Sequence, residues 1–296
     1  MKITVVKQMD AQVSLIRDTE IEKRRLNYIP ERCVGCGLCA NVCPLNAISM
    51  GPIGAIARGE AGGPNLVIDE KACALCGICC TICPKRALTL FINGSDLKDI
   101  KNYPQLITQF TLDRKQCALY DESRMEVCTS CRDSCPAKAI EIVEIIPERE
   151  VSASCKDSDL TGMVNVTERA KYDLRIDEGL CCYCGRCVEE CEEEVIKVQK
   201  PFEGRIQLDK AKCKACDACV LVCPAKAIEV VTPPKPYMKT DRYKIQERFC
   251  IFCGACEQAC PVNAIKVTRT KLNMTMVLPQ TWKSSWERAI TQIAKS

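Results

Sequence analysis

The chain has 296 residues, of which 27 are cysteine, only 5% are aromatic and none is histidine. The length alone would suit about two ordinary domains, but so little aromatic mass excludes a broad aromatic–aliphatic core, and folding free energy has to come from ligation as well as burial. The absent histidine excludes Ser-His and Cys-His catalytic devices, and the formal charge of +4 counts every cysteine as neutral.

Residues 1–27 read as an N-terminal extension carrying the charged run Glu20-Ile21-Glu22-Lys23-Arg24-Arg25. Met1 to Gln8 has no signal-peptide apolar core, which opposes a secreted disulfide scaffold. Then comes Cys-x2-Cys-x2-Cys-x3-Cys five times: Cys33, Cys36, Cys39 and Cys43; Cys73, Cys76, Cys79 and Cys83; Cys181, Cys184, Cys187 and Cys191; Cys213, Cys216, Cys219 and Cys223; Cys250, Cys253, Cys256 and Cys260. Another copy, third in chain order, is Cys117, Cys128, Cys131 and Cys135, with its first cysteine displaced. Five of the six fourth cysteines precede proline.

The three-residue step into each fourth cysteine fits one helical turn, which proline then ends. The segments beyond that turn read as strand: Ile140-Glu141-Ile142-Val143-Glu144-Ile145 alternates apolar and charged, and Ile228-Glu229-Val230-Val231 does so more weakly. Asp173–Asp177 and Arg205–Asp209 are the short strands before motifs. Only 21 residues separate Cys191 from Cys213. Val195–Val198 and Arg205–Leu208 within them predict a hairpin about Pro201-Phe202-Glu203-Gly204. Thr232-Pro233-Pro234-Lys235-Pro236 reads as a linker. The widest gap, 45 residues from Cys135 to Cys181, holds the polar stretch Ser152–Asp159.

This cysteine run is the bacterial-ferredoxin spacing for cubane iron–sulfur clusters. A disulfide scaffold is opposed by the odd cysteine count and by a two-two-three spacing repeated six times. Zinc prefers two separated Cys-x2-Cys pairs. All 24 motif cysteines are therefore expected to ligate iron in six [4Fe-4S] clusters. Oxygen-sensitive clusters and reduced thiols together point to the cytoplasm. Each oxidised cube with its thiolates carries about −2, so the loaded chain sits near −8, which argues against nucleic acid. No apolar run reaches the roughly 18 residues of a transmembrane helix. Every quartet is complete, so a non-catalytic conductor is expected rather than an enzyme with its own site.

The expected fold is α+β, made of three two-cluster modules in which the fourth cysteine of each motif ligates the other motif's cluster. The first module spans 28–95 and pairs motifs one and two. For the rest, gap lengths favour nesting: an inner module of motifs four and five at 171–232, inserted into an outer module of motifs three and six at 105–150 plus 240–270. Sequential pairing, three with four and five with six, is the alternative; Cys135 beside Cys181 would establish it. Residues 271–296 place Trp282, Trp286, Ile290 and Ile293 at helical spacing and are expected to dock on a partner subunit.

Two departures invite specific readings. The fourth motif lacks proline and is acidic, Glu189-Glu190-Cys191-Glu192-Glu193-Glu194, which suggests a low-potential step or simply a solvated face. Residues 118–126 bulge toward a partner, cover a cluster or form a tolerated insertion. Cys80, Cys155 and Cys182 are left over: a structural thiol is the reading for Cys80 and Cys182, beside motif cysteines, with service as alternative ligands as the other reading.

The six motifs resemble those of polyferredoxins over nearly the whole chain. Gly51-Pro52-Ile53-Gly54-Ala55-Ile56-Ala57-Arg58-Gly59-Glu60, Lys200-Pro201-Phe202-Glu203-Gly204 and Phe249-Cys250-Ile251-Phe252-Cys253-Gly254-Ala255-Cys256 look like the polyferredoxin subunit of tungsten- or molybdenum-dependent formylmethanofuran dehydrogenase of methanogenic archaea. That resemblance implies low-potential electron relay to or from a metallopterin enzyme that reduces carbon dioxide, with its catalytic subunits as partners. Heterodisulfide reductase, a hydrogenase and a small ferredoxin are the alternative partners. Members with eight clusters make six a departure.

Overall fold

The computed structural model describes residues 3–7, 13–121, 123, 126–145, 171–232, 241–275, 277–280 and 282–295. Cys155, the stretch 152–159 and residues 233–236 of the expected linker lie outside them.

The first unit runs β1 (Ile3–Lys7), β2 (Val13–Asp18), β3 (Lys23–Tyr28), α1 (Leu38–Asn41), β4 (Ile48–Met50), α2 (Ile53–Ala57), β5 (Leu66–Ile68), α3 (Ile78–Ile82), β6 (Leu88–Ile92) and β7 (Ser95–Asp96). β3 before the first motif pairs antiparallel with β6 after the second, Tyr28 opposite Leu88. β4 after the first motif pairs with β5 before the second. This double pairing is what lays one motif beside the other. The expected N-terminal extension is not separate: β1 and β2 add to the edge of the same five-stranded sheet, in the order β1-β2-β3-β6-β7.

The second unit contains β8 (Gln109–Leu112), α4 (Ser130–Asp133), β9 (Ile140–Ile145), β10 (Lys171–Ile176), α5 (Arg186–Glu189) and β11 (Ile196–Gln199). The third contains β12 (Phe202–Leu208), α6 (Ala218–Leu221), β13 (Ile228–Val230), β14 (Tyr243–Ile245), α7 (Ala255–Ala259) and β15 (Ile265–Leu272). Here the structure overturns the nested arrangement. β9 pairs with β10 and β8 with β11, joining motifs three and four. β12 pairs with β15 and β13 with β14, joining motifs five and six. The units at 105–150 plus 240–270 and at 171–232 do not exist as expected, nor does the hairpin about 201–204. β11 runs out to Gln199 opposite Gln109, and β12 starts again at Phe202 opposite Leu272. Lys200 and Pro201 are thus the link between units. Gap length misleads because closing a loop costs only about 0.6 kcal/mol more for each doubling of its length. A 45-residue gap and a 21-residue gap differ by too little to choose a partner.

The first and second units each keep a core of their own, about Leu26 and Leu90 and about Ile140 and Leu174, and the three units meet in a further shared cluster. Leu38, Val42, Ile78 and Ile82 of the first unit pack in the same cluster as Cys182 of the second and Phe202, Phe249 and Ile251 of the third. A final helix, α8 (Lys283–Lys295), completes it. Trp286, Ala289 and Ile293 fall on one helical face and are buried in that cluster, against β15 and α1, with Trp286 edge-on to Tyr103 at 6.5 Å. The terminal helix therefore packs on its own chain rather than offering this face to a partner. Ile290 is half-buried and Trp282 is exposed.

Candidate metal centres

Each cysteine loop is wrapped by left-handed backbone at repeated positions. Two residues after the first cysteine of a motif, Gly35, Leu75, Tyr183, Ala215 and Phe252 all have positive φ. Three residues after the fourth cysteine, Asn46, Arg86, Lys138, Glu194, Lys226 and Asn263 do too. Gly37, Gly77, Gly185 and Gly254, with Asp217 in the fifth motif, take the same conformation just before the short helix. For a non-glycine residue this conformation costs of order 1–3 kcal/mol and persists only where the surroundings over-determine it. Side chains as bulky as Leu75, Tyr183 and Phe252 gave no turn signal in the sequence, so this feature was missed there.

The paired strands bring crossed quartets together. One cavity is lined by Cys33, Cys36, Cys39 and Cys83; a second by Cys73, Cys76, Cys79 and Cys43; a third by Cys250, Cys253, Cys256 and Cys223. Each takes three cysteines from one motif and the fourth from its partner. In the second unit, burial first and then repulsion from Cys128 and Cys117 push the Cys131 thiol up to about 11, with Cys191 adding to it. Burial and the charges of Cys184, Cys181, Cys131 and Cys135 take Cys187 to about 12. Cys117, displaced in sequence, is thereby returned to its quartet, and Cys135 stands with Cys181. In the fifth motif, burial followed by Cys216 and then Cys213 raises Cys219 to about 11.

Crowded, buried thiols that repel one another as thiolates are a donor set made for soft, positively charged iron. Among the described residues, no three His, Cys, Asp or Glu side chains gather as closely as a single ion needs; the quartets surround a space instead. Backbone amides supply the other expected contact. The N–H groups of Ala47, Ala87, Ala139, Ala227 and Ala264 donate to the sulfur of the fourth cysteine four residues back, at 3.1–3.4 Å. Hydrogen bonds of this kind tune cluster potential. Among the described residues Cys191, the one fourth cysteine without a following proline, has no such donor.

The remaining expectations fall into place unevenly. The acidic run about Cys191 is mostly solvent-facing, and Glu189 pairs with Arg248 at 2.9 Å. In the 118–126 stretch, Tyr120 anchors to Asp173 at 3.0 Å. Cys80 lies 3.9 Å from the Cys79 sulfur. Cys182 is buried and donates to the Pro224 carbonyl of the neighbouring unit at 3.7 Å; its hydrogen bond with Cys184, and then burial, hold its thiol protonated.

Residues 32–87 and 212–264 match the family of 4Fe-4S dicluster domains. A 93-residue stretch is 58% identical to the polyferredoxin protein FwdF of Methanocaldococcus jannaschii, covering 31% of this chain and 26% of that protein. The match thus spans about a quarter of that relative's length. In three dimensions the chain is similar to one in the formate dehydrogenase–heterodisulfide reductase–formylmethanofuran dehydrogenase complex of Methanospirillum hungatei. The TM-score is 0.75 at 27% identity, over 97% of this chain and 91% of that one. The resemblance to polyferredoxins read from the motifs therefore holds. Among the described residues no helix is long and apolar enough to cross a membrane.

Proposed function

We propose that this chain is a non-catalytic electron carrier of a formylmethanofuran dehydrogenase assembly, holding six [4Fe-4S] clusters in three two-cluster modules. The ligands are the 24 motif cysteines, with Cys43 and Cys83 exchanged between motifs one and two, Cys135 and Cys191 between three and four, and Cys223 and Cys260 between five and six. The crossed quartets carry this reading: three cavities each lined by four cysteines drawn from two motifs. When bound, the cubes supply one-electron chemistry. The chain holds them by thiolate and donates backbone N–H to ligand sulfur.

The partner follows from the similarity to FwdF and to a chain of the Methanospirillum complex, whose name also includes heterodisulfide reductase. Cytoplasmic placement suits oxygen-sensitive clusters and reduced thiols. Anaerobic purification of the native protein with its bound subunits, followed by metal analysis, tests the reading. About 24 iron atoms per chain is the expected yield of six cubes, with tungsten or molybdenum in the co-purifying enzyme. Zinc in place of iron would refute the cluster sites, and recovery with hydrogenase subunits alone would refute the partner.

A further inference from the structure

Three cations are withdrawn from solvent at the places where the three units meet. Lys85 of the first unit is 8% exposed, lines the Cys33/Cys36/Cys39/Cys83 cavity and donates to the Leu180 carbonyl of the second. Its charge acts on Cys181 and Cys182. Lys200, on the link between the second and third units, is half-buried and donates to the carbonyls of Arg248 and Cys250, the latter at 3.1 Å. The thiols of Cys250, Cys184 and Cys182, with Glu189, are the acidic groups that face it. Arg269 of the third unit is 5% exposed, donates to the Cys253 carbonyl across 2.6 Å and lies over the Phe202 ring at 5.5 Å. It faces Cys253, Cys36 of the first unit, Glu257 and Cys250. Each seam thus has one deeply withdrawn cation lying between two quartets of different units; Arg58, whose guanidinium reaches the Cys216 sulfur at 3.9 Å, and Arg186, which donates to the Ala225 and Lys226 carbonyls, also cross seams but remain 20% exposed.

A buried charge is costly unless compensated. At these seams the compensation is anionic sulfur from both sides. Conversely, a cube deep in the protein resists gaining an electron, because burial penalises its extra negative charge; a fixed cation nearby opposes that penalty at low dielectric. We propose that Lys85, Lys200 and Arg269 are positioning charges that keep the three seam clusters reducible and so set the potential at which electrons cross from unit to unit. The clusters concerned are those of Cys33/Cys36/Cys39/Cys83, Cys181/Cys184/Cys187/Cys135 and Cys250/Cys253/Cys256/Cys223. The step is a one-electron reduction of a cube; no bond is made or broken at the cation, and dithionite supplies the electron in the assay. The inference rests on the reading of the quartets as cluster sites.

The test is an EPR-monitored redox titration of the full chain, loaded anaerobically, with iron counted on the same samples. Arg269→Met should lower the reduced-to-oxidised ratio of about two of the six cubes roughly tenfold at a fixed potential, which is ~59 mV for a one-electron couple. Arg269→Lys, which keeps the charge, should stay near the parent curve. Arg269→Met superimposing on the parent at equal iron, or Arg269→Lys shifting as far as Arg269→Met, would overturn the proposal. Should Arg269→Met fail to fold, Lys200→Met at the less buried seam decides alone: the same shift is expected there, and a superimposable curve overturns it. Iron far below the expected content in the parent chain would instead refute the cluster sites, a separate outcome.

Discussion

Gly54 on α2 lies against α7 of the third unit so closely that a Cβ placed there would be 2.2 Å from the Ala259 carbonyl oxygen and 3.1 Å from its carbon. Ordinary contact begins near 3.4 Å, so Gly54→Ala forces backbone apart by about 1 Å at the seam between the first and third units. The obstacle is a main-chain carbonyl, which cannot rotate away as a side chain would. Overpacking of this kind costs roughly 1–3 kcal/mol. For chains somewhat smaller than this one, each kcal/mol moves Tm by about 2–4 °C, so a fall of roughly 2–12 °C is expected at a fixed scan rate, followed by circular dichroism and by the visible absorbance of the clusters. Gly62→Ala is the internal control: the same connection, nothing within 4 Å of its Cβ position, and no change in Tm. Hydrogen exchange should localise the damage to 53–58 and 255–260. Equal melting of Gly54→Ala, Gly62→Ala and the parent would refute the close approach of the two units.

The same geometry sets two further outcomes. Trp286→Ala empties a fully buried position between α8, α1 and β15 and should cost roughly 3–5 kcal/mol in chemical denaturation; a loss under about 1 kcal/mol would mean the helix is not seated. Cys135→Ser should expose Cys181, Cys184 and Cys187 to alkylation, read by mass spectrometry, while Cys128 and Cys131 stay protected. Labelling of Cys250, Cys253 and Cys256 instead would restore the nested arrangement.

The cysteine quartets were legible as candidate ligands because the motif is mostly local: three cysteines within seven residues declare it, and strand phrases such as Ile140–Ile145 sit where the motif puts them. The pairing of motifs was not legible, because it depends on β8 finding β11 rather than β12 finding β11. Nothing in four or five residues of alternating side chains specifies that choice; the units' shared core does. Likewise the terminal tryptophans were correctly placed at helical spacing, yet the spacing says only that one face is apolar. It does not say whether that face meets another chain or, as with Trp286, its own.

The seams are the part furthest from a sequence reader. Lys85, Lys200 and Arg269 are three of 42 basic residues, with no motif of their own, and in isolation each reads as a solvated surface charge. Their meaning comes only from where sulfur from two different units converges. The same holds for Gly54. The phrase Gly51–Glu60 marked the resemblance to polyferredoxins, but only the Ala259 carbonyl facing α2 supplies a physical reason for glycine there. Six similar motifs therefore do not make six similar sites. Repetition marks the candidate ligands, whereas the single residues that join the repeats decide which quartets face protein and which face water. A potential set by charge and burial will follow those joints rather than the motif.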